Sequence, residues 1–145
     1  MANVGIGMSN EENQAMCPIA TIYAGTNISN HIACNVIASY GPPDPTESND
    51  DFWKDKANRW SIPLGEARSR LCMNCNNYDN SEYTMRCISK GNGAKVKVSD
   101  IPFVPRWVDT DAPKAVCTRF NLVTTSIRSC EDWIGHGYSY GEKAY

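Results

Sequence analysis

The chain reads as a small, loop-rich α+β domain: a few short strands and short helices held together by a metal site built from cysteines. Three observations predict it. Short apolar runs alternate with Gly-, Pro-, Asn- and Ser-rich breakers, as in a mixed fold rather than a helical bundle. The stretch Asp50 to Trp60 has the apolar spacing of one amphipathic helix. Five of the seven cysteines, Cys72, Cys75, Cys87, Cys117 and Cys130, fall from the middle of the 145 residues onward. A chain of this length can bury a core, but not a large one, so a metal staple would add what the core lacks.

Taken in order, residues 1–16 are polar and small, with Glu11, Glu12, Asn13 and Gln14, and read as an arm. Ile19 to Ala24 and Ile32 to Tyr40 are apolar and rich in β-branched residues, the signature of two strands around a turn at 25–30. A lone hairpin is marginal in water, so these strands are expected to pair with the rest of the chain or a neighbour. Gly41-Pro-Pro-Asp-Pro-Thr-Glu-Ser is the best candidate linker. It divides the chain into an N-terminal arm with its strand pair, 1–45, and a cysteine-rich domain, 46–145.

In the second part, Trp53, Ala57 and Trp60 share one helical face, and Asn49 or Asp50 can cap that helix. Leu64 to Leu71 adds a turn or two of helix with Glu66 and Arg70 at i, i+4, and leads into Cys72-Met-Asn-Cys75. Tyr83 to Ser89 and Ala94 to Val98 read as a hairpin around Lys90-Gly-Asn-Gly. Pro102 and Pro105 make the next stretch extended. Cys117 to Thr124 reads as a short strand, and residues 134–145 as a tail.

The net charge of −2 and the lack of a basic run argue against a nucleic-acid partner. No apolar stretch is long enough to span a membrane. The opening residues carry neither the basic nor the apolar region of a secretory signal. In a reducing cytoplasm clustered cysteines favour metal over disulfides, although release and later oxidation keep disulfides open. No fingerprint of a nucleotide-binding loop, zinc protease or nucleophile elbow occurs, and no enzyme activity is expected.

A C-x2-C turn aims two sulfurs at one metal. Two further ligands would come singly from Cys117, Cys130 or Cys87. Structural zinc sites commonly use two such turns and this chain has one. Single outlying cysteines followed by aromatic residues, Phe120 after Cys117 and Trp133 after Cys130, favour an iron–sulfur cluster over zinc. His31-Ile-Ala-Cys34, with Cys17 nearby, also has ligand-like spacing. A buried strand with a hydrogen-bonded histidine is the better reading there, and His136 reads as solvated. Trp53, Trp60, Trp107 and Trp133 read as core or interface.

The pattern Cys72-Met-Asn-Cys75-Asn-Asn-Tyr78, then Cys117-Thr-Arg-Phe120, then Cys130-Glu-Asp-Trp133, resembles that of high-potential iron–sulfur proteins. The resemblance implies a [4Fe–4S] cluster ligated by Cys72, Cys75, Cys117 and Cys130. The interval from Cys75 to Cys117 is longer than in that family and contains Cys87, a substitute ligand. Residues 60–135, including Met85-Arg-Cys87-Ile and Arg128-Ser-Cys130-Glu-Asp-Trp133, are also similar to small proteins of tailed bacteriophages. That resemblance implies a structural protein assembled in the host cytoplasm into the virion, with other virion proteins as its partners. A small iron–sulfur electron carrier and a zinc- or disulfide-stapled interaction module are the alternatives.

Overall fold

The computed structural model describes residues 17–95 and 107–135. The arm at 1–16, the stretch around Pro102 and Pro105, and His136 with the tail beyond it lie outside them. Helices α1 (Ile19–Ile22) and α2 (Ala24–Ala38) are followed by α3 (Asp50–Trp60) and α4 (Leu64–Arg68). A 3-10 turn at Cys72–Asn74 leads to strand β1 (Tyr78–Asp79) and helix α5 (Glu82–Lys90), and a second 3-10 turn covers Gly93–Lys95. Strands β2 (Lys114–Cys117) and β3 (Leu122–Thr125) complete a three-stranded antiparallel sheet in the order β1-β2-β3. The fold is therefore mixed α+β and small, as the sequence predicts. Among the described residues no helix is long and apolar enough to cross a membrane.

The expected strand pair at 19–40 is helical instead. In α2 the buried residues are Asn27, His31, Cys34 and Ala38. Their spacing of four, three and four is a helical face, while Val36 and Ile37 point outward. The β-branched residues suggested strands because two of the four buried positions are polar and carry no hydropathy signal. What binds those polar groups is the sheet edge. Val123 N–H donates to Asn27 Oδ1 at 2.8 Å, and His31 Nε2 donates to the Val123 carbonyl at 2.8 Å. Asn30 Nδ2 donates to the Asn121 carbonyl at 2.6 Å. Three side chains of α2 thus satisfy backbone groups beside and along β3 that a further strand would otherwise take. The N-terminal segment does pack on the C-terminal half, through these side chains and through backbone bonds at its end, where Gly41 and Ser129 form an antiparallel bridge and Glu131 N–H donates to the Ala38 carbonyl.

The hairpin expected over 83–98 is also not formed in its described part. Residues 82–90 are α5, started by Ser81, whose Oγ accepts from Thr84 N–H. Thr84 and Cys87 face inward one turn apart. The segment after α5 lies directly on α1: a Cβ at Gly93 would stand 1.6 Å from the Ala20 carbonyl oxygen, and one at Gly91 1.8 Å from that of Thr21. Asn27 Nδ2 also donates to the Gly93 carbonyl at 3.0 Å. Gly93→Ala is expected to lift this turn off α1 and cost about 3 kcal/mol, read from the shift of a urea unfolding midpoint.

The α3 and α4 helices form where the sequence places them. Trp53, Ala57 and Ala67 make one core cluster, with Phe52, Trp60, Ile62, Leu64 and Leu71 packed around it. Arg70 and Glu66 form the anticipated i, i+4 pair at 3.5 Å. The second cluster joins Cys34, Ala38, Tyr40, Trp107 and Leu122, with Cys72, Cys117, Phe120 and Cys130 at its margin. Of the four tryptophans, Trp53 and Trp107 are buried in these clusters.

His31 sits in this interior with an edge-on contact to Tyr40 at 5.1 Å. Burial lowers its pKa from 6.5 to about 4, the nearby Arg128 charge adding to that and the Val123 carbonyl opposing it. Above pH 6.5 the ring is neutral whether the chain is folded or not. Between 6.5 and about 4 only the unfolded chain takes up the proton, so stability falls as pH falls through that window. Urea unfolding is expected to give about 2 kcal/mol less stability at pH 5 than at pH 7 from this group, a difference that His31→Gln removes.

Candidate functional site

Five cysteines from four chain segments line one pocket: Cys34, Cys72, Cys75, Cys117 and Cys130. All five are outside disulfides. Tyr40, Tyr78, Leu122 and Trp133 complete most of its wall. The four cysteines matched by the iron–sulfur resemblance are therefore brought together, and one the sequence reading left aside joins them. Cys87 is not among them. It is bonded to Cys17, closing a sequence separation of 70, so it is not a substitute ligand. Its place on the inner face of α5 turns it towards the chain at Cys17 instead of the pocket.

Each segment is fixed by local chemistry. The Cys72–Cys75 turn is held from inside by Asn74, whose Oδ1 accepts from Leu71 N–H at 3.1 Å and from Trp133 Nε1 at 2.8 Å. Asn74 Nδ2 donates to the Ser69 carbonyl at 2.8 Å. The turn docks on the chain after β3 through Cys72 N–H to Arg128 O at 2.6 Å and Met73 N–H to Ser126 O at 3.2 Å. Cys117 ends β2, opposite Tyr78 and Leu122 in the sheet register. Cys130 follows the Arg128 loop, and the next residue, Glu131, donates its N–H to the Ala38 carbonyl at 2.7 Å. Cys34 comes from the buried face of α2.

The hydrogen bonds around the sulfurs sort them. Cys72 Sγ accepts from Thr124 Oγ1 at 3.3 Å. Cys75 Sγ accepts from the backbone N–H groups of Asn77 at 3.5 Å and Ile134 at 3.4 Å. Cys72 and Cys75 thus sit at the receiving end of donors, and Cys34, Cys117 and Cys130 complete the sulfur lining of the pocket. Thr124 in turn lies 2.8 Å from the Tyr40 hydroxyl. With the Thr124 proton on the Cys72 sulfur, the Tyr40 hydroxyl is the donor to Thr124. A chain of hydrogen bonds then ends on the sulfur.

Burial pushes the Cys72, Cys75 and Cys117 thiols up, Cys117 to about 11, and the charges of neighbouring sulfurs add to this. The Cys34 thiol beside it holds Cys130 down. Four thiolates in one apolar pocket would repel each other, and a positively charged group among them would remove that cost and favour the thiolate form.

Among the described residues no three His, Cys, Asp or Glu side chains are placed to hold a single ion. The sulfurs border a space instead. The atom-free space among them is about 380 Å3, part of it open to solvent. Tetrahedral zinc would need its sulfurs about 3.8 Å apart, given Zn–S bonds of about 2.3 Å. A cluster interposes its own iron and sulfide atoms and so accepts a wider ring of thiolates. The donor set and the apolar wall suit such a group, which Cys72, Cys75, Cys117 and Cys130 would hold.

The sequence reading overlooked Cys34, Tyr40 and Thr124 as parts of this site. The signal for Cys34 was present: Asn27, His31, Cys34 and Ala38 already follow helical spacing, which places Cys34 on the same face as a buried histidine. No protein family, curated protein or solved structure matches this chain, so what the pocket does is read from its own residues.

Proposed function

We propose that this chain is a non-enzymatic structural protein that binds a [4Fe–4S] cluster through Cys72, Cys75, Cys117 and Cys130. The observation that carries the reading is the convergence of these four sulfurs on one mostly apolar pocket. Hydrogen bonds from N–H and O–H groups to cysteine sulfur suit a buried thiolate ligand, and Cys72 and Cys75 receive them. When bound, the cluster's contribution is a set of iron–thiolate bonds joining the 72–75 turn, the end of β2 and the 130 loop. Metal binding is then part of the folding free energy. Trp133 holds one wall, through Nε1 to the Leu71 carbonyl at 2.9 Å and to Asn74. Arg70 covers the Trp133 ring from 4.7 Å.

The setting we propose is the virion of a tailed phage, on the resemblance of residues 60–135, with other virion proteins as partners. The open side of the pocket favours a second reading, a small electron carrier. Iron and acid-labile sulfide in protein purified anaerobically, with a broad visible absorption band, are the expected result. Zinc in stoichiometric amount without sulfide would overturn the cluster. A reversible couple within the physiological range would select the carrier, and absence of the protein from purified particles of its phage would overturn the virion role.

A further inference from the structure

We propose that the Cys17–Cys87 disulfide is a thiol-exchange site: the groove beside it takes an anionic low-molecular-weight thiol of the glutathione class, which exchanges onto the Cys17 sulfur and releases Cys87. The inference goes beyond the cluster reading and uses none of the cysteines of that site.

The two sulfurs are presented unequally. Cys87 is 4% exposed, on the inner face of α5, while Cys17 is partly exposed just before α1. Both line a groove whose atom-free space is about 670 Å3, part of it open to solvent, so a small thiol has room to reach the bond. One wall is a stripe of α5, since Tyr83, Arg86, Cys87 and Lys90 follow helical spacing on one side.

The charges of that wall are cationic. Arg86 and Lys90 line the groove, and no carboxylate does among the described residues. Glu82 lies 3.6 Å from Arg86, but at 90% exposure water screens most of its effect. The Tyr83 hydroxyl stands 3.9 Å from Cys17 Sγ, and the Arg86 guanidinium lies 6.0 Å from the same tyrosine ring. A thiol that carries carboxylates is therefore drawn to the side of the groove where the bond lies.

The thiolate of that molecule attacks Cys17 Sγ, the more exposed of the two sulfurs. A new sulfur–sulfur bond forms to Cys17, the bond to Cys87 breaks, and its electron pair leaves on Cys87 as thiolate. Lys90, three residues on from Cys87, favours that leaving thiolate, which then takes a proton from solvent. One disulfide is consumed and one is formed, so no outside oxidant is needed. Return attack by Cys87 expels the small thiol and restores the bond. The fold holds the two sulfurs near each other meanwhile, because Asn92 N–H donates to the Ile22 carbonyl at 3.4 Å and Asn27 Nδ2 to the Gly93 carbonyl.

The test uses the full chain, purified anaerobically without added thiol, as the parent and as the double variant Arg86→Gln, Lys90→Gln. Both residues are exposed, so the variant is expected to keep the parent's melting temperature. Each protein is treated with excess glutathione or with uncharged 2-mercaptoethanol, quenched in acid, alkylated and mapped by mass. Reduced thiols form adducts only at a disulfide, so the five pocket cysteines stay silent. The folded parent is expected to carry glutathione on Cys17 and a free thiol at Cys87. The double variant should react about fivefold more slowly with glutathione, and at nearly the parent's rate with 2-mercaptoethanol. Glutathione found on Cys87 instead would overturn the assignment of Cys17. Equal slowing with both thiols, or no slowing with glutathione, would overturn the recognition of anionic thiols. A disulfide that opens only in urea would overturn the exchange site. Iron content enters none of these readouts, so failure here and failure of the cluster reading are separate results.

Discussion

On the proposed cluster, replacing Cys75 by serine is expected to strip the protein of most of the bound iron and to lower its melting temperature more than any single surface change could. Cys75 is buried at 8% exposure and is the sulfur that gathers two backbone donors, Asn77 and Ile134. Its segment is pinned at both ends. Asn76 N–H donates to the Ile134 carbonyl at 2.5 Å, and Cys75 bridges to Gly135. Serine would fit the space, but a hydroxyl is a far weaker ligand for iron than a thiolate. Structural metal sites contribute on the order of 10 kcal/mol to folding, as much as the whole stability of many domains. Losing one ligand of four should therefore cost several kcal/mol. Iron content, visible absorption and thermal melts measured together check it, with Cys34→Ser as the control that keeps its iron. Equal damage from both substitutions would mean the staple is not where the donors place it.

The second large effect is expected at Arg128. Its side chain is 1% exposed, yet it carries a full charge. Nε donates to the Pro42 carbonyl at 3.1 Å, Nη2 to the Pro43 carbonyl at 3.2 Å and to the Val108 carbonyl, and Nη1 to Thr125 Oγ1 at 3.3 Å. The guanidinium lies 4.7 Å over the Trp107 ring, and Trp107 stacks on Tyr40 at 5.6 Å. One cation thus closes the carbonyls of the Pro-rich loop and braces the ring that backs the cysteine pocket. Arg128→Met keeps the bulk but leaves the Pro42 and Val108 carbonyls without this donor and the Pro43 carbonyl with Val108 N–H alone. The expected cost is about 3 kcal/mol, or a fall in melting temperature of about 10 °C. With the proposed cluster bound, faster loss of iron to a chelator should accompany it, because Tyr40 and Thr124 lose their backing. A melting temperature within a degree or two of the parent would show that water replaces the guanidinium without penalty.

The α3 helix was legible because Trp53, Ala57 and Trp60 announce their face by bulk and spacing. The assembly of Cys72, Cys75, Cys117 and Cys130 around one pocket was legible because a C-x2-C turn constrains two sulfurs locally and the following aromatics mark the rest. Helix α2 was not, since its buried face is half polar: Asn27 and His31 earn their burial from backbone groups 66 to 96 residues later in the chain. Helix α5 hid for a related reason. Its start signal is one serine, and its inward residues, Thr84 and Cys87, are weak markers of a helical stripe. The fate of Cys87 depends on Cys17, and no local pattern encodes a pairing over that distance.

The clasp of Asn27, Asn30 and His31 on the outer strand also limits how this molecule can meet others. Sheets grow from protein to protein when an outer strand offers unclaimed amides and carbonyls to an incoming one. Here the Val123 amide and carbonyl are already claimed by side chains of the same chain, and the opposite margin is β1, only Tyr78–Asp79. Neither border is long or open enough to seed a continuous ribbon. Copies packed at high density would therefore meet as finished surfaces, in contacts that stop at a defined size, and would not run on into a fibre.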